Sequence, residues 1–303
     1  MEAGSLTHRQ DISADGAGHG TFSDVRAPAG FIRMTSLTPA ELKKEYENLT
    51  VLVPYETKGS LEEQFHVVEG IKVDSYLLGQ LKYWGRRNLT EKQKATWDRF
   101  KKGHFNYRKR LSRWQRKNLG SYGDYNSTGV NACFSGRGQP QDFEDALAMA
   151  AMAGMCKATK SSMQRFCDKR MGLDCSGFVS VYYQRVGKLP GRKSHNAKQF
   201  YDNKYKLIEK LEDVRMGDCL VWVNKYGRPL PGVGHIAMAN GPVVGRASGS
   251  SKLYMVESWG GRGLDEGFYT RFKEYSRGGE TYFWVSPQRG RSRARVKIIR
   301  PFA

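Results

Sequence analysis

Cys175 stands in "GLDCSGFVSVYYQRVG", residues 172–187, between an aspartate and a Ser-Gly pair. Asp174 is placed to cap a helix starting at Ser176. Phe178, Tyr182 and Val186 then recur on one face, and Gly187 supplies the usual terminating residue. A thiol at a helix N-terminus meets unpaired N–H groups and the positive end of the macrodipole, which favour thiolate over thiol. The same N–H groups can receive an oxyanion. Gly177 keeps bulk away from the first turn.

A nucleophile needs a base, and His235 is the histidine best placed by pattern. It opens "GHIAMAN", a strand-like run, with Gly234 leaving space beside the ring. His8 and His19 fall in a Gly- and Ser-rich leader, and His66 and His104 in the N-terminal region. The run "LYMVES" can pair with the His235 strand, bringing Glu257 to the far ring nitrogen as a tautomer-fixing partner. A strand glutamate can also simply face solvent. A cysteine taken alone is usually a buried structural thiol. Cys219, within "GDCLVWVN", reads that way, and Cys156 and Cys167 lack the spacing and partners of a metal site.

Four blocks in order, "LDCSGFV", "LPGRKSHNAKQFYD", "VRMGDCLVW" and "GVGHIAMANG", resemble the NlpC/P60 family of cysteine peptidases. The resemblance covers about 90 residues firmly. It implies a papain-like α+β fold, with the helix-start cysteine packed on an antiparallel sheet, and cleavage of amide bonds in peptidoglycan stem peptides. Carried over by position, Cys175 is the nucleophile and His235 the base. The third polar residue is Glu257, with Ser258 its competitor. Asp174 and Ser176 flank the nucleophile, and the amides of Cys175 and Ser176 are the oxyanion donors. His195 and Asn196 are read as edging the cleft, while Trp259 either lines it or packs in the core. No metal or cofactor is implied. The chain departs from the family in lacking a Tyr-x-Trp-Gly-Gly stretch before the cysteine, which puts a tyrosine's help to the oxyanion in doubt. Within the family, amidase effectors injected by type VI secretion look most similar. That likeness implies peptidoglycan as partner, an immunity protein or a secretion-apparatus component as others, and delivery to the periplasm or wall of a target cell. A phage lysis enzyme, a cysteine hydrolase or acyltransferase acting on a host protein or lipid, and a polyanion-binding module with a vestigial hydrolase fold stay open as alternatives.

The elements that must position these groups occupy the rest of the chain. Residues 1–35 form a flexible leader without a basic n-region and apolar run, so no signal peptide is visible. Residues 36–119 form a basic, mainly helical region opened by "SLTPAELKKEYENL", with Thr38 as N-cap, Pro39 in the first turn and Glu41 at the third position. Between Leu81 and Asn118, fourteen Lys and Arg face only Glu91 and Asp98, interleaved with aromatics such as Trp84, Trp97 and Trp114. That mixture suits a polyanion, with nucleic acid the weaker alternative partner to an anionic wall; a solvated helical domain has the same composition. Residues 120–140 read as a linker and 141–303 as the catalytic domain, helices first and strands later. The net charge of +20 over 303 residues points to an acidic partner. No run approaches the roughly 18 apolar residues of a membrane span.

Overall fold

The structure, a computed structural model, describes residues 37–55, 64–77, 127–202, 205–230, 234–245, 251–277, 279–287 and 292–302, with isolated positions between 91 and 103. The leader, and nearly all of the basic segment 81–118, lie outside the described residues. Where that segment is described, Arg99 donates to the carbonyls of Ala153 and Gly154.

Helix α1 (Pro39–Glu47) starts on a reciprocal cap. Thr38 Oγ1 accepts from the Glu41 N–H at 3.1 Å, and the Glu41 carboxylate accepts from the Thr38 N–H at 2.7 Å. The next segment is extended. "LTVLVPY" forms β1 (Leu49–Tyr55), which pairs antiparallel with β2 (Gln64–Ile71). The expected mainly helical N-terminal region is therefore corrected: alternate β-branched residues, Val51 and Val53, are buried on one face of a hairpin. β1 packs on α3 (Pro140–Met152), which follows α2 (Ser127–Cys133). Next come α4 (Lys160–Arg170), α5 (Cys175–Arg185) and α6 (Ala197–Asp202). One core joins Leu42, Tyr46 and Ile71 to Phe143, Leu147 and Phe178.

Strands β3 (Tyr205–Ile208), β4 (Cys219–Trp222), β5 (Ile236–Ala239), β6 (Leu253–Trp259), β7 (Gly263–Arg277), β8 (Glu280–Ser286) and β9 (Ala294–Pro301) are all antiparallel. β4 to β9 close into a six-stranded barrel, because β9 pairs with β4 on one edge and with β8 on the other. This overturns the expected papain-like α+β fold, in which the helix-start cysteine packs on a sheet. The physical cause lies in β7 and β9. β7 is 15 residues long, and its register slips between Thr270 and Lys273, where Arg271 takes φ 55°. Such a bulge bends the strand, so that one half serves β6 and the other β8. β9 then satisfies both edges that an open sheet would leave unpaired.

Alternation sorts the strand residues into two cores. Leu220, Trp222, Ala237, Ala239, Met255, Phe283, Val296 and Ile298 fill the barrel. Cys219, Val221, Ile236, Met238, Val256 and Ile299 face out and pack with the helices. Burial on both faces explains why β4 and β5 are apolar throughout. α5 lies against β5 and β6. Among the described residues, no helix is long and apolar enough to cross a membrane.

Candidate active site

The α5 start is held by hydrogen bonds and by close packing. Asp174 Oδ1 accepts from the Gly177 N–H at 2.5 Å and from Ser176 Oγ at 2.7 Å, while Arg137 Nε stands 3.7 Å from Oδ2. The helix begins at Cys175 itself, one residue before the predicted start. Gly177 serves packing: a Cβ there would fall 1.8 Å from the Gly136 carbonyl oxygen, which also accepts from the Asp174 N–H at 3.0 Å.

The Cys175 thiol is 4% exposed, with Sγ 3.9 Å from the Gly234 carbonyl oxygen. Burial pushes it up to about 12, and the Asp174 charge adds to this. The Ile236 N–H, the Tyr76 hydroxyl and the Ser176 N–H pull the other way but by less. The expected preference for thiolate at the helix end is thus corrected. A rise from the ordinary 9 to about 12 represents ~4 kcal/mol against the anion. A helix terminus supplies only ~0.3–1 kcal/mol in its favour. The resting group is a thiol.

His235 sits just before β5, its carbonyl accepting from the Trp222 N–H at 3.0 Å. Its Nε2 lies 2.5 Å from Glu257 Oε2, and the two residues are 6% and 4% exposed. The β5–β6 register, Met238 opposite Val256 and Ala239 opposite Met255, sets Glu257 diagonal to His235 when continued. Both share parity with barrel-filling residues, His235 with Ala237 and Glu257 with Met255, so they stand at the barrel mouth. Ser258 has the opposite parity, and its Oγ donates to the Leu173 carbonyl at 2.7 Å, tying β6 to the chain just before Cys175. Trp259 and Trp222 flank the imidazole edge-on, with centroids at 4.4 and 4.5 Å.

His195 and Asn196 are held by contacts near α5 and α6. The His195 ring packs on Phe200 and Phe302, and its backbone N–H and carbonyl meet Ser180 Oγ. Asn196 Oδ1 accepts from the Gln199 N–H at 2.8 Å, beside the start of α6. These contacts tie both residues to α5, α6 and the chain end.

Tyr76 is the residue that sequence reasoning missed. Its hydroxyl and the Cys175 thiol lie near enough to bear on each other's ionisation, the hydroxyl favouring the thiolate, and burial holds the phenol well above its ordinary range. A parallel bridge to Leu173, with the Leu173 N–H donating to the Ser75 carbonyl at 3.0 Å, brings it in. Nothing in the local pattern marks this one among 16 tyrosines.

Among the described residues, no group of three or more His, Cys, Asp or Glu side chains is arranged to hold a metal ion. Comparison with known proteins returns no matching family, no matching curated protein and no matching solved structure.

Proposed function

We propose that this protein is a cysteine-dependent amide hydrolase acting on peptidoglycan stem peptides. The observation that carries the reading is the buried His235–Glu257 pair at a strand end whose flanking backbone, Gly234 and Ile236, meets the Cys175 sulfur. The choice of stem peptides rests on the ordered resemblance of four sequence blocks.

The chemistry runs in two halves. Nε2 of His235 is held by Glu257, so the thiol proton passes to Nδ1 as Sγ bonds to the amide carbon. The carbonyl oxygen gains negative charge facing the Tyr76 hydroxyl and the amides at the helix start. The C–N bond then breaks, and the imidazolium gives its proton to the departing amine. Water attacks the thioester with His235 as base, releasing the acid and restoring the thiol. Because the resting sulfur is protonated, His235 acts as a true general base rather than half of a preformed ion pair.

The test is incubation of the full chain and its Cys175→Ala variant with purified peptidoglycan, reading released fragments by mass. Fragments are expected only from the parent chain. Absence of cysteine-dependent cleavage across several wall chemotypes rejects the substrate. Absence of any acyl-enzyme mass on Cys175 with small amide or ester probes rejects the hydrolase.

A further inference from the structure

We propose that the cavity at the barrel mouth beside His235 is a subsite for a carboxylate-bearing peptide group of the substrate. The proposal rests on the hydrolase reading and adds what lies next to the scissile amide. The cavity measures about 550 Å³, within the range of about 300–1,000 Å³ that takes small ligands. Trp222 and Trp259, the two rings set edge-on to His235, form part of its wall. A group bound there therefore lies against the two rings that pack on the His235 imidazole. Leu230 and Trp284 extend the apolar lining.

The charge in this cavity has one sign. Arg293 and Arg295 line it, and no Asp or Glu does among the described residues. Arg295 stands directly opposite Trp284 across the β8–β9 pair, its guanidinium 4.9 Å from the ring centroid. Stacking fixes the plane of the fork. Arg295 Nε is buried without an acceptor among the described residues, while the half-buried side chain as a whole lines the cavity. An incoming carboxylate would meet the guanidinium with charge-assisted hydrogen bonds. Apolar walls and a stacked arginine together fit a carboxylate on a short aliphatic or flat body. They do not fit a cation, and they leave a fully polar sugar little to pair with.

The test uses the full chain carrying Cys175→Ala, so that binding is read without turnover. The probes are N-acetyl-Ala-Glu amide, its D-Glu epimer, and the N-acetyl-Ala-Gln amide control, in 0.3 M salt to screen the net charge. Tryptophan fluorescence reports occupancy. Saturable binding of a Glu probe at least ten-fold tighter than the Gln control is expected. Arg295→Gln should abolish that preference, and the exposed Arg293→Gln should weaken it. Preference for the D epimer assigns the site to wall-type peptides, and preference for the L epimer to ordinary protein peptides; either supports the carboxylate subsite. Equal binding of Glu and Gln probes, no saturable binding, or a preference unchanged in both arginine variants overturns it. Because these variants lack the thiol, failure here leaves the hydrolase test untouched, and an inactive thiol leaves this result standing.

Discussion

His235 Nε2 and Glu257 Oε2 are 2.5 Å apart, with both residues more than nine-tenths buried. In the proposed mechanism the pair orients the imidazole and stabilises the imidazolium. Glu257→Gln keeps the shape but removes the charge. Turnover should fall on the order of 10²–10⁴-fold, with KM little changed. Glu257→Ala should also lower stability by about 1–3 kcal/mol, because it leaves a buried ring nitrogen without that partner. Steady-state kinetics and urea unfolding check the two effects. Full activity in Glu257→Gln would remove the residue from the mechanism.

The state of the sulfur sets a pH signature. Burial holds the thiol near 12, above its ordinary 9, so the thiolate fraction grows through neutral and mildly alkaline pH. Alkylation of Cys175 by iodoacetamide should accelerate about ten-fold per pH unit from pH 7 to 10 without a plateau. The raised value also favours the folded state less and less as the unfolded chain's thiol ionises: the cost of burying it is absent below pH 9 and grows as pH rises from 9 towards about 12. Two variants should move the alkylation rate in opposite directions. Asp174→Asn removes an opposing charge while remaining a good N-cap, so alkylation at pH 8 should speed up several-fold. Tyr76→Phe removes a hydroxyl that favours the thiolate, so alkylation should slow and turnover should drop about 10–10²-fold. A plateau near neutral pH in the parent chain would point instead to a preformed thiolate–imidazolium pair.

Close backbone approach at the helix start should be intolerant of any side chain. In Gly177→Ala the new Cβ meets the Gly136 carbonyl oxygen, a backbone atom that also holds the Asp174 N–H. Destabilisation of at least ~2 kcal/mol is expected from thermal or urea melts. A melt matching the parent would show that the Gly136 loop yields freely.

Glu144 offers a second titration. Its carboxylate accepts from the Thr50 N–H at 2.8 Å, and burial pushes it up to about 7. The carboxyl is raised in the folded chain, so it favours folding below its ordinary 4.5 and that advantage disappears as pH rises through about 7. Glu144→Gln should therefore raise stability by ~1–3 kcal/mol at pH 8 relative to the parent, and change it little at pH 4. Urea midpoints at the two pH values decide this. Equal effects at both would remove the titration.

The sequence alone determined what depends on neighbours in the chain. Thr38 and Glu41 form their reciprocal cap because both partners lie within one turn, and Asp174 caps α5 for the same reason. Alternation along "GHIAMAN" and "LYMVES" was enough to expect two paired strands with Glu257 or Ser258 near His235. The choice between Glu257 and Ser258 needed the sheet, since adjacent residues face opposite sides and only the barrel says which side holds the imidazole. Closure itself was invisible, because it depends on β9 reaching two partners and on a slip in β7 at Arg271, neither of which any local period encodes. The hairpin in the N-terminal region was hidden behind the helix-like start before it. Tyr76 reaches the sulfur from ninety-nine positions upstream through a backbone bridge, and the thiol is protonated because packing around it outweighs the field of one helix end. Those are properties of the surroundings in space, and only the tertiary structure assembles them.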